Sequence, residues 1–166
     1  MRSPGLRSRV SEEPYDAAVG IASAIEASAS SSSPFTRELF EEQWTAQRVT
    51  EFVNERRNAT IATVSDSGQP HAAVVIAASL NDEIYFTVHP ESVLCRNIGG
   101  NDRIAISVCD STHAVMCQGH ATRVGSAPAL PDLIADLAAA THSGNFTPQG
   151  WDGYIYRVEL RRLVAN

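Results

Sequence analysis

Ala59-Thr60-Ile61-Ala62-Thr63-Val64-Ser65-Asp66-Ser67-Gly68-Gln69-Pro70-His71 is the stretch that decides the fold. Its first six residues alternate around β-branched side chains, the period-two pattern of a half-buried strand. Ser65-Asp66-Ser67-Gly68 supplies turn residues, and Pro70 opens a second strand over 71–78. Working outward, Asn81-Asp82 makes the next turn and Ile84-Tyr85-Phe86-Thr87-Val88 the third strand. Pro90 suits the first turn of a short helix carrying Val93, Leu94 and Ile98, which Gly99-Gly100 ends. A fourth strand covers 103–109, with Ile104, Ile106 and Val108 alternating, and a fifth covers 114–124. A helix from Pro131 places Leu130, Leu133, Ile134, Leu137 and Ala138 on one face. A Gly-, Asn- and Pro-rich loop over 141–150 leads to a last strand over 154–164. Short strands joined by tight turns, with helices appended, predict a mainly β, α+β domain built on a small antiparallel barrel.

Upstream, Thr36 is read as the cap of one helix ending near Arg57, with Glu38, Glu41 and Glu42 near its positive end. Leu39, Ala46, Val49 and Val53 form its stripe, which Phe40, Trp44 and Phe52 widen. Residues 1–34 read as a flexible Ser-rich tail, because 28–34 is Ser-Ala-Ser-Ser-Ser-Ser-Pro. An Ala-rich helix over 15–25, or an arm packing on a partner subunit, is the alternative. The domain proper is then 35–166.

The 166 residues and 17.9 kDa suit one domain, and 43% hydrophobic residues suffice for its core. The net charge of -6 argues against nucleic acid, which needs a concentrated basic face. No apolar run approaches the ~20 residues of a membrane span. All 13 basic residues are Arg, so neither a Schiff-base Lys nor a P-loop Lys is present. Cys95, Cys109 and Cys117 form no C-x-x-C pair, which argues against a disulfide framework or zinc site and for a cytoplasmic location. His71, His89, His113, His120 and His142 have no metal-binding spacing, so no metal is expected. No catalytic triad or carboxylate pair is visible, which points to borrowed cofactor chemistry.

The motifs in order resemble the pyridoxamine 5′-phosphate oxidase-like, FMN-binding split barrels. They are Arg57-Asn58-Ala59-Thr60-Ile61-Ala62-Thr63-Val64, Gly68-Gln69-Pro70-His71, Ile84-Tyr85-Phe86-Thr87, Ser92, Arg96-Asn97-Ile98, 103–108 and Gln118-Gly119-His120-Ala121. The resemblance covers about 37–164. It implies a six-stranded antiparallel split β-barrel, working as a homodimer with cofactor at the subunit interface. It implies FMN most often, an 8-hydroxy-5-deazaflavin in one branch, and haem in some relatives. His71, Ala72, Ala73 and Val74 would run along the flavin ring. Thr87 at the end of the third strand, with Ser92, would hold the phosphate, and Phe86 would also belong to the cofactor site.

Two departures stand out. Val93 and Leu94 occupy positions where the family has basic phosphate ligands, leaving Arg96, Arg57 and His71 as candidates. Val93 and Leu94 also suit the core face of their helix. The last strand, Arg157-Val158-Glu159-Leu160-Arg161-Arg162-Leu163, lacks the family's R-L-H-D-R-like substrate motif, so pyridoxamine-phosphate oxidation proper is not expected. Trp151 and Phe146 either line a substrate pocket or close the barrel end. Gln118 either meets the ring or faces solvent. The expected function is FMN-dependent hydride transfer with a small organic molecule. The alternatives are a deazaflavin-dependent reductase and a non-catalytic flavin- or haem-binding protein.

Overall fold

The computed structural model describes residues 20–39, 44–142 and 145–166. Six strands close an antiparallel barrel in the order β1-β2-β3-β6-β5-β4. They are β1 (Asn58–Val64), β2 (Pro70–Leu80), β3 (Glu83–Val88), β4 (Arg103–Cys109), β5 (Ala114–Ser126) and β6 (Tyr154–Ala165). The α+β class, six strands and antiparallel order are those the sequence predicts. Ala59, Ile61 and Thr63 point inward from β1, while Asn58, Thr60, Ala62 and Val64 point outward. The register Thr60↔Val74, Ala62↔Ala72 and Val64↔Pro70 continues that outer face onto β2. Gly68 turns the first hairpin at φ 81°, and Asn81 and Asp82 turn the second at φ 52° and 66°. Two positive φ values in succession are what a tight hairpin needs, and Asn and Asp tolerate them.

Phe52, Ile61, Ile84, Phe86, Leu160 and Leu163 fill the main core. The rings of Phe86 and Tyr156 stack at 5.5 Å. A smaller core of Tyr85, Leu137, Phe146 and Ile155 lies under α5 (Pro131–Ala140). All three cysteines are free, and burial pushes the Cys117 thiol up to about 12, which keeps it protonated and inert. Among the described residues no helix is long and apolar enough to cross a membrane. Among them no three His, Cys, Asp or Glu side chains converge as metal ligands.

Two expectations about the N-terminal region are corrected. The Ser-rich segment from residue 20 onward is not a flexible linker: it forms α1 (Ile21–Ser31), with Ile21, Ala24 and Ser28 buried. Small side chains let α1 lie close on β6, and Ser28 Oγ accepts from the Leu163 N–H at 2.8 Å. The hydroxyls of Ser28, Ser31 and Ser32 donate to carbonyls four residues back. Asp82 holds the other end, its carbonyl and carboxylate accepting from the N–H groups of Ile21 and Ala22. Tyr15 and the rest of 1–19 lie outside the described residues.

The single helix expected over 36–57 is two, α2 (Pro34–Leu39) and α3 (Ala46–Arg56). Phe40, Glu41 and Glu42 lie outside the described residues. The caps are Ser33, whose Oγ accepts from Thr36 N–H, and Thr45, whose Oγ1 accepts from Arg48 N–H. Thr36 itself is helical. Asn54 of α3 exchanges two hydrogen bonds with the Ser79 backbone, at 2.7 and 2.9 Å, tying the helix to β2.

Between β4 and β5, Asp110 accepts from the backbone N–H groups of Thr112 and His113, both at 2.8 Å, and pairs with Arg56 at 2.7 Å. These bonds, the backbone ones first, hold its carboxyl well below the usual range. A depressed carboxylate stabilises above its unfolded pKa, and the gain is lost as pH falls through the folded value. Asp110→Asn should therefore lower the urea midpoint at neutral pH, and the gap to wild type should shrink as pH falls below about 4. A gap independent of pH would contradict this.

Candidate functional site

The third strand, α4 (Val93–Gly100) and the loop before β6 enclose one side of β2. The cleft there has a volume of about 360 Å³ and is lined by Asn58, Ala73 to Ile76, Thr87 to His89, Ser92, Leu94, Pro148 and Trp151. Ala73, Val74, Val75 and Ile76 make the β2 wall apolar, with Ala73 its smallest side chain. Leu94 and Trp151 are its large apolar walls.

The polar end lies at Thr87, His89 and Ser92. Ser92 caps α4: its Oγ accepts from Cys95 N–H at 3.0 Å and donates to the His89 carbonyl at 2.7 Å. Its hydroxyl proton is thus committed, and what it presents to a ligand is a helix N-terminus with orphan N–H groups. Thr87 Oγ1 makes only a 3.5 Å contact with the Ile76 carbonyl and can turn to a ligand. His89 Nδ1 accepts from Glu91 N–H at 3.2 Å, which in the neutral ring places the proton on Nε2.

Five residues expected at the site from the sequence meet here: Ala73, Val74, Thr87, Ser92 and Trp151. The others stand elsewhere. Ala72 is exposed on the barrel's outer face opposite Ala62. His71 lies opposite Thr63, its Nδ1 buried without a hydrogen-bond partner. Arg96 is exposed on α4, and Gln118 is exposed on β5 opposite Ala105. Arg57 caps α3 at φ 60° and donates from Nη2 to the Asn145 carbonyl at 3.0 Å. It anchors the loop that carries Pro148 and Trp151. Phe86 and Phe146 are fully buried and each fills a core, so Phe86 is not placed to contact a cofactor as expected, and Phe146 packs inside rather than lining a pocket, the other of its two alternatives. Val93 is 42% exposed, so only Leu94 serves as the core face suggested for both.

Sequence reasoning missed Asn58, Val75, Ile76, Val88, His89, Leu94 and Pro148. His89 had a signal, since it follows the third strand directly and stands three residues before the capping serine. Pro148 had none, because only the return of a distant loop brings it to β2.

Among the described residues no Arg lines this cleft. What the cleft offers is an apolar β2 wall and, at its polar end, helix N–H groups and the Thr87 hydroxyl rather than guanidinium. The cleft also opens onto a broad outer face that is uncharged around Val74. Thr60, Ala62, Val64, Ala72, Val74, Ala105, Ser107 and Met116 share it, with Val74 70% exposed.

A closed six-stranded barrel with this cleft on its second strand is a split barrel of the flavin-binding kind in fold. The pyridoxamine 5′-phosphate oxidase family profile matches residues 45–159, more than half of the chain, and the chain belongs to that family. No curated protein matches it significantly. Among solved structures, the protein Atu2129 from Agrobacterium tumefaciens, of unknown function, has a TM-score of 0.59 at 21% identity, covering 73% of this chain and 56% of that one. This chain thus spans just over half of that protein's length. An F420 reductase has a TM-score of 0.55 at 19% identity, covering 68% of this chain and 92% of that one. HutZ, a heme storage protein from Vibrio cholerae, has a TM-score of 0.52 at 16% identity, covering 72% and 93%. At such identities the likeness is one of fold, and these relatives span both enzymatic and storage roles.

Proposed function

We propose that this protein is a homodimeric oxidoreductase that binds FMN in the β2–β3–α4 cleft and acts on a small organic substrate. One observation carries the reading. Val74 belongs at once to the cleft wall and to the outer face that is uncharged around it. A second copy seated on that face would bury the apolar patch and close the open side of the cleft in one step. FMN, when bound, would supply hydride transfer. The chain's own part is to seat the ring on Ala73 and Val74, exclude water with Leu94 and Trp151, and hold the phosphate at the α4 N-terminus. His89 Nε2 is the donor placed to move a proton at the cleft's edge.

The absorption spectrum tests this. Saturable FMN binding near one per chain, with turnover of a reduced nicotinamide above that of free flavin, is expected. Response only to 8-hydroxy-5-deazaflavin would move the function to the reductase branch. No response to any of the cofactors would overturn it.

Ser92→Asp separates the phosphate from the ring. Asp keeps the cap to Cys95 N–H but cannot donate to the His89 carbonyl, so stability should fall by about 1 kcal/mol while the fold survives. Its charge at the phosphate seat should weaken FMN by roughly tenfold or more, a loss of about 1.4 kcal/mol. Unchanged FMN affinity, read by flavin fluorescence, would remove the phosphate from this helix.

A second reading has its own observation. His89 lines the cleft; with its proton moved to Nδ1, at the cost of the Glu91 N–H bond, its Nε2 would be free to ligate haem iron. A Soret band on adding haem, without flavin binding, would favour a non-catalytic haem-binding protein.

A further inference from the structure

We infer that a second groove, on the other side of Trp151, is a subsite for an uncharged, flat apolar ring carried by the substrate. The inference rests on reading the neighbouring cleft as the cofactor's. The groove lies between α5, the short 3-10 turn before it (Ala127–Ala129), and the loop that precedes β6. Its volume is about 320 Å³, close to the cofactor cleft's, and the two share Pro148 and Trp151 as a common wall.

The lining selects the ligand class. Pro128, Pro131 and Ile134 make its apolar side, and Thr147 and Gln149 are its polar side chains. Among the described residues no ionisable side chain lines it. Three of its residues are prolines, which have no backbone N–H to donate. A carboxylate or phosphate entering here would lose hydration with neither a cation nor a cluster of donors to replace it. A neutral ring would lose little, and would gain the faces of the prolines and the indole.

The wall is built to stay in place. A Cβ at Gly153 would fall 2.0 Å from Trp151 Cζ2, so the indole edge lies hard against that glycine. Trp151 N–H donates to the Pro148 carbonyl at 3.1 Å, and Ala127 N–H to the Gly153 carbonyl at 2.8 Å. Arg57 pins the loop's start at Asn145. A pre-formed groove spares a ligand the cost of ordering it. Its position beside the cofactor cleft, divided only by one indole and one proline, would place a substrate ring next to the cofactor without displacing it.

The test uses the full chain labelled with ¹⁵N, whose two indole N–H signals come from Trp44 and Trp151. Titration with 2-naphthol, a neutral two-ring probe, should shift Trp151 saturably and leave Trp44 in place. The anion 2-naphthoate should bind at least roughly tenfold more weakly. Thr147 lines this groove and not the cofactor cleft. Thr147→Arg should therefore reverse the preference between the two probes while FMN affinity, followed by flavin absorbance, stays unchanged.

A Trp151 signal indifferent to 2-naphthol, equal affinity for the two probes, or displacement of 2-naphthol by FMN would each overturn the inference. Failure of FMN to bind while 2-naphthol still shifts Trp151 would instead sink the cofactor reading and leave the groove's ligand class standing.

Discussion

Gly119→Ala should destabilise the barrel more than any other single methyl added to its glycines that line strands. A Cβ at Gly119 would lie 2.2 Å from the Glu159 carbonyl oxygen, 3.0 Å from its carbon and 3.3 Å from Leu160 Cα. All three obstacles are backbone, so no rotamer change relieves them. The β5–β6 register shifts between Gln118 and Gly119, and the two chains cross closely there. Relief requires the longest strand pair of the barrel to part. The expected loss is about 3 kcal/mol, at the upper end of ordinary overpacking. For a domain of this size that corresponds to a fall in Tm of roughly 6–12 °C. Gly99→Ala is the control: nothing lies within 4 Å of its Cβ position, and it sits in α4. There alanine should stabilise by about 0.5–1 kcal/mol through helix propensity. Equal Tm values for the two variants would show that β6 yields at Gly119.

Val74→Glu should turn the protein into a monomer. On an isolated chain the change is nearly silent, since Val74 is 70% exposed and its outward neighbours are small. In a two-fold dimer each substitution appears twice, and the carboxylates enter beside Thr60, Ala62 and Ala72, none of which carries a charge to receive them. Like charges buried across an interface cost several kcal/mol, so dissociation should rise by roughly a hundredfold or more. FMN capacity should fall with it, because the same residue lines the cleft. Sedimentation of wild type and variant at equal concentration decides. Two dimers of equal stability would place the interface elsewhere, and a monomeric wild type would end the dimer proposal.

Two features show where sequence reading succeeds and fails here. The β1–β2 hairpin was legible because alternation, turn residues and Pro70 all lie within a few residues, where local sterics and burial act together. The serine run of α1 was misread for a physical reason. Composition treats serines as solvated linker, but these hydroxyls fold back on helical carbonyls, and Ser28 also receives the Leu163 N–H from a strand far along the chain. Only the presence of β6 makes that arrangement favourable. The break between α2 and α3 was hidden similarly, since the apolar stripe runs on in register while Ser33 and Thr45 each start a new helix.

The site divides along the same line. Thr87 and Ser92 could be placed from the family resemblance, near the end of a strand and near the start of a helix, although that helix begins after Ser92 and not at Pro90. Phe86 and Phe146 could not be assigned, because an aromatic ring is equally suited to a core or to a ligand, and burial decides which. Arg57 looked like a phosphate ligand by charge and became a loop anchor by geometry.

By itself, the sequence determined the strand order along the chain, the hairpin turns, the absence of Lys chemistry and the family, because each follows from local pattern or residue type. Tertiary structure alone decided that Pro148, Trp151 and His89 meet β2, that α1 seals β6, and that an outer face uncharged around Val74 borders the cleft. Those facts depend on which distant segments pack together, and packing is set by the summed burial of the whole chain rather than by any stretch within it.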